Sequence, residues 1–132
     1  MSFPDPLAIG DDGVAKNLHR IGTTAIESTY RLDDAGVIHT LLLSHDFAGV
    51  GTSRKAKAGA GSQIQRAIMR YERAYLSPDP LLTGQNQRVV VAATLTMTWP
   101  TIITALDASK RGLTIAGLAT DTVLLRLAQG ET

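Results

Sequence analysis

Thr94-Leu95-Thr96-Met97-Thr98-Trp99 alternates residue by residue and closes the longer run that begins at Arg88. At a period of two, Thr94, Thr96 and Thr98 fall on one side of an extended strand, and Ala93, Leu95, Met97 and Trp99 on the other. One side is apolar and the other is polar but uncharged, which is the pattern of an antiparallel sheet with one covered and one wet face. Pro100 ends the run, and the period then changes. Leu106, Ser109/Lys110, Leu113 and Ala116/Gly117 follow a helical repeat that starts at Thr104 or Asp107. Thr120-Asp121 offers an N-cap for a second helix over Thr122–Gln129, ended by Gly130. Gly112 and Gly117 each weaken the first helix by about 1 kcal/mol relative to Ala, a cost usually retained where another element packs closely.

Upstream of Arg88 the chain reads as strands joined by turns. Leu7-Ala8-Ile9 and Val14 to Ile21 flank Gly10-Asp11-Asp12-Gly13, and Ser28 to Leu32 and Val37 to Phe47 flank Asp33-Asp34-Ala35-Gly36. Both are hairpins with Gly/Asp turns. Gln63–Leu76 is a third long strand segment, followed by a loop over Ser77–Gln87 whose Pro78 and Pro80 interrupt regular pairing. Strands first and helices last predict an α+β fold in one domain: an N-terminal hairpin over 1–22, sheet over 28–99 and helices over 104–130.

Charge is concentrated in one place. From Phe47 to Pro78 there are six basic residues against one acid, while the rest of the chain carries seven basic and eleven acidic residues. A net charge of +1 thus hides a local +5, and a focused positive patch predicts a polyanionic partner. The island has two parts: a Gly/Ala/Ser/Lys loop over Ala48–Ser62 with Arg54, Lys55 and Lys57, and the strand with Arg66, Arg70 and Arg73. On that strand Arg66, Ile68, Arg70 and Glu72 share one side, and Ala67, Met69, Tyr71 and Arg73 the other. Arginines beside a threonine row suit phosphate and sugar contacts. Tyr71, Tyr75 and Trp99 could stack on bases, but Tyr71 and Trp99 fall on the core side, so base recognition is the weaker signal. The bland alternative is an ordinary solvated strand face.

Other motifs carry less. Gly49-Val50-Gly51-Thr52-Ser53-Arg54-Lys55 lacks the spacing of a phosphate-binding loop and precedes a strand rather than a helix. His19, His39 and His45 have no carboxylate or thiol cluster around them, so no metal site is expected. Ser44-His45-Asp46 sits on one strand, where neighbours point to opposite faces, and is no triad. Without cysteine there is no disulfide or thiolate chemistry. No enzyme activity, catalytic residue or cofactor is expected. No apolar run approaches the roughly 18 residues of a membrane span, and Met1 to Pro6 lacks the basic start and apolar run of a signal peptide. Synthesis inside the cell is the default expectation. Aromatic residues are only 5%, so the core must be built from Leu, Ile, Val and Ala, and a partner subunit is expected to finish it.

Arg70-Tyr71-Glu72 on the third long strand, the long loop after it, and Thr94-Leu95-Thr96-Met97-Thr98-Trp99-Pro100 resemble the coat proteins of single-stranded RNA bacteriophages of the levivirus type. Length, N-terminal hairpin, strand order and terminal helices agree, over essentially the whole chain. The resemblance implies a hairpin, a five-stranded antiparallel sheet and two helices. It also implies a homodimer with the sheet extended across it and interlocked helices, placing Leu113, Leu124 and Leu127 at the interface. Dimers would build an icosahedral T=3 shell, made in the cytoplasm of a bacterial host, with single-stranded genomic RNA on the inner sheet face and a maturation protein as a further partner. No membrane is involved. The positions carried over are Arg66, Ile68 and Arg70 on the basic strand, Ala92, Thr94 and Thr96 on the last strand, and Arg54, Lys55 and Lys57 in the RNA-contacting loop. The loop over Ser77–Gln87 would cluster around symmetry axes. Ala92 stands where well-known members place an aromatic that stacks on a base, a departure that touches the family's hairpin-binding, translation-repressing role more than RNA packaging. Strand 37–47 has two possible parities. Thr40 and Ser44 face RNA if Leu41 and Leu43 are core, the preferred choice because it also buries Val37 and Phe47.

The expected function is therefore a self-assembling capsid subunit that packages RNA. The alternatives are a dimeric nucleic-acid-binding regulator that uses a sheet face without encapsidation, and a small-ligand-binding α+β domain, which would need a deep pocket.

Overall fold

The computed structural model describes residues 3–48, 64–100 and 103–130. The fold is α+β, with six strands followed by two helices among the described residues: β1 Leu7–Asp11, β2 Val14–Thr23, β3 Glu27–Asp34, β4 Val37–Ala48, β5 Ile64–Pro78, β6 Asn86–Pro100, α1 Ala105–Leu118 and α2 Asp121–Ala128. The strands form one sheet in the order β1-β2-β3-β4-β5-β6. Among the described residues four strands follow the hairpin where five were expected. The fifth strand is implied by the resemblance alone; the residue-by-residue reading has the same four segments, and β5 runs unbroken because Gln65 to Leu76 contains no Gly, Pro, Asn or Asp. Pro78 is accommodated at its end, where no further ladder bond is required, and the loop to β6 shortens to 79–85. That loop is organised by Asp79, whose side chain accepts from the Leu81 amide at 2.8 Å.

Both hairpins turn in two residues, since Asp11 pairs with Val14 and Asp34 with Val37. Asp12 and Gly13 have φ of 50° and 77°, and Ala35 and Gly36 50° and 86°. Two consecutive positive φ values define the type I′ turn, which matches the twist of the flanking strands. Asp-Gly is a favoured pair for it; Ala35 is not, and adopts it under the pull of the ladder on either side.

Contacts divide the chain into two compact units. The first, Met1–Asp46 with Ala67–Thr96, is built around Leu18, Tyr30 and Leu41, with Leu7, Ile9, Leu32, Leu43 and Tyr71 packed against them. This parity settles β4: His39 and Leu41 are buried, so Thr40 and Ser44 lie on the other side, as preferred from the sequence. Neighbouring strands lie roughly 4.8 Å apart, so β1 and β5 would stand about 19 Å apart in a flat sheet. Yet Asp11 Oδ2 on β1 is 3.8 Å from an Arg73 guanidinium nitrogen on β5. The sheet must therefore curl, carrying the β1–β2 hairpin over one face. A bulge assists: Arg20 pairs with Tyr30 and Gly22 with Thr29, leaving Ile21 as the extra residue that bends β2.

Polar groups lock the hairpin down. Arg20 donates to the hydroxyl of the fully buried Tyr30 at 2.8 Å and stacks over its ring. Lys16 pairs with Asp34. At the hairpin tip, Arg73 binds Asp12 at 3.2 Å, and buried His39 shares a 2.8 Å hydrogen bond with the Tyr71 hydroxyl. Burial pushes the Tyr71 phenol up to about 12, and the adjacent Asp11 carboxylate adds to this by its charge and by hydrogen bonding.

The second unit comprises Phe47–Arg66 and Met97–Thr132. Thr104 is the N-cap of α1 and its hydroxyl accepts from the Asp107 amide, which decides between the two expected starts. Thr120 caps α2 by position, without a side-chain bond, so that helix starts at Asp121 rather than Thr122. Gly112 is buried against the Met97 sulfur, the close contact expected of a helical glycine. Gly117 has open space around it. α2 buries none of its residues, and Leu113, Leu124 and Leu127 are exposed by half or more.

Candidate nucleic-acid interface

The hairpin closes one face of the first unit, so any extended ligand must use the other. Side chains there come from alternate positions: Thr29 and Arg31 on β3, Thr40, Leu42 and Ser44 on β4, and Ile68, Arg70 and Glu72 on β5. On β6, Ala92, Thr94 and Thr96 are all exposed. Directly opposed residues of antiparallel strands share a face, and the register opposes Thr29 to Leu42 and Arg31 to Thr40. An open depression lined by Thr29, Thr40, Leu42, Arg70 and Glu72 brings β3, β4 and β5 together at this point. Thr40 and Arg70, nominated from separate stretches of sequence, therefore lie side by side.

The electrostatics are more mixed than the sequence implied. Arg70 is ion-paired with Glu72 at 2.6 Å on the same side of β5. Ser44 stands opposite Glu27, so a carboxylate flanks it. Arg66 has the parity of Ile68 and Arg70 on β5 but belongs to the second unit and is half-buried. Arg54, Lys55 and Lys57 lie outside the described residues. Arg73, excluded from this face by parity, points to the hairpin tip and serves the fold through Asp11 and Asp12.

Sequence reasoning passed over Arg31. The signal was available in the alternation of Thr29 and Arg31 with Tyr30 and Leu32, whose burial in the structure leaves Thr29 and Arg31 on the polar side. Charge counting by segment hid it: Glu27, Asp33 and Asp34 make this strand acidic on balance.

A larger hollow of about 530 Å³ lies on the hairpin side of the first unit, with Asp11, Val37, Tyr71, Arg73, Tyr75, Val91 and Ala93 in its wall. Its size suits a small ligand. Its two charged residues, Asp11 and Arg73, already face each other in the hairpin lock at 3.8 Å, although Arg73 Nε is buried without a hydrogen-bond partner among the described residues. No protein-family model matches this chain, and no curated protein matches it.

Proposed function

We propose that this chain is a capsid subunit of the single-stranded RNA bacteriophage type, which self-assembles through dimers and packages RNA against its open sheet face. The observation that carries this reading is the two-sided sheet: one face is closed by the chain's own hairpin, while the opposite face is open and gathers Arg31, Thr40 and Arg70 beside the exposed Thr94 and Thr96. Neutralising phosphates needs only Arg and Lys, with no cofactor. The helices support the dimer. An isolated helix shorter than about 12 residues is marginal in water, and the eight-residue α2 buries nothing in its own chain. A second copy, its helices interlocked with these and its sheet continuing this one, would cover Leu113, Leu124 and Leu127.

Electron microscopy of the purified protein with single-stranded RNA tests this directly. Closed shells that protect RNA from nuclease are expected. Dimers that bind RNA but never close would instead identify a sheet-face nucleic-acid-binding regulator, and absence of RNA binding would overturn both readings. Within the shell reading, Arg66→Ala with Arg70→Ala should lower RNA affinity and flatten its salt dependence while dimers stay folded.

A further inference from the structure

We infer that Arg31, together with Thr40 and Arg70, forms a clamp for the phosphodiester backbone of single-stranded RNA; this rests on the RNA-packaging reading above and adds its central cation. Arg31 directly opposes Thr40 across the β3–β4 ladder, so their Cβ atoms stand about 5 Å apart on the same face. Thr40 in turn shares the open depression with Arg70. Two guanidinium groups thus flank one hydroxyl across three adjacent strands, with the outer strands roughly 10 Å apart. Both side chains are long enough to reach a phosphate seated over Thr40, and the guanidinium fork matches phosphate oxygens.

The two arginines are not equivalent. Arg70 is held by Glu72, which offsets its charge. Arg31 is exposed and makes no ion pair among the described residues, so its charge is available to a ligand. The surrounding charges also set a direction. Asp33, two residues along β3, and Glu27, opposite Ser44, place carboxylates on this face on either side of the clamp. A polyanion running parallel to the strands would meet them. One crossing the strands from β3 to β5 meets Arg31, Thr40 and Arg70 in turn. The row ends at Arg31, because the next residue across, His19, lies 3.8 Å from the Asp5 carboxylate.

The test is binding of a labelled oligouridine to the full chain over a salt series, for the wild type, Arg31→Ala and Arg31→Lys. Each phosphate contact on a single strand contributes about 0.7 to the log–log salt slope. Arg31→Ala should therefore lose about 0.7 of slope, and Arg31→Lys should keep it. Should the alanine variant aggregate, Arg31→Gln removes the same charge and gives the same comparison. A wild type that binds, with an Arg31→Ala slope equal to its own, overturns the clamp and leaves the packaging reading standing. A wild type that does not bind overturns both.

Discussion

Tyr71 connects the chemistry of one residue to the attachment of the whole hairpin. Its phenol, held up to about 12 against an ordinary 10, is bonded to buried His39 and lies beside Asp11 of the hairpin tip. Raising the folded-state value of an acid stabilises its neutral form. The stabilisation is therefore complete below pH 10 and is lost as pH climbs from 10 towards about 12, where the unfolded chain ionises and the folded chain resists. Denaturant midpoints measured across this range should fall steeply for the wild type and less so for Tyr71→Phe. At neutral pH that variant starts lower by about 1 kcal/mol, from the lost hydrogen bond. Parallel curves for the two proteins would show that Tyr71 is not the titrating group. Nothing in the sequence marks Tyr71 as the partner of Asp11. The two are 60 positions apart, and only the curl of the sheet brings them together.

At the scale of the element, two glycines of α1 with the same sequence rationale have different neighbours. A Cβ on Gly112 would collide with the Met97 sulfur, whereas a Cβ on Gly117 would meet nothing within 4 Å. Gly112→Val should cost about 1–3 kcal/mol through overpacking, even though Met97 can yield somewhat. Gly117→Ala should gain about 0.5–1 kcal/mol from helix propensity. Thermal or chemical unfolding of the two variants checks both, and a stabilising Gly112→Val would mean that α1 does not pack on the end of β6. Element identity was largely legible in the sequence. The Asp-Gly and Ala-Gly turns, the threonine alternation of β6 and the Thr104 and Thr120 starts each act locally, through φ preference, pleat or capping. The six strand segments were legible residue by residue; only the five-stranded sheet implied by the resemblance differs from the described strands.

At the scale of the molecule, the core among the described residues is sparse, and large apolar side chains remain exposed on both helices. Leu124→Asp and Leu127→Asp should leave the first unit folded but shift sedimentation from dimer to monomer. Either carboxylate would otherwise be buried without a partner in the proposed interface, at a cost of several kcal/mol. Unchanged dimers would show that these helices do not form the contact. The sequence by itself determined the α+β order of elements, the two hairpin turns and the parity of β5 and β6, because these depend on neighbours within a few residues. It also determined that basic residues gather on β5 and before it. The parity of β4 was decided by the burial of His39 and Leu41. Only the tertiary structure decided that the hairpin folds back over one face, committing Arg73 to Asp11 and Asp12. The same curl and register brought Arg31 to Thr40 and Arg70 while giving Arg70 and Ser44 acidic neighbours. Those facts rest on the pairing of strands and on the bulge at Ile21, which bring together charges far apart along the chain.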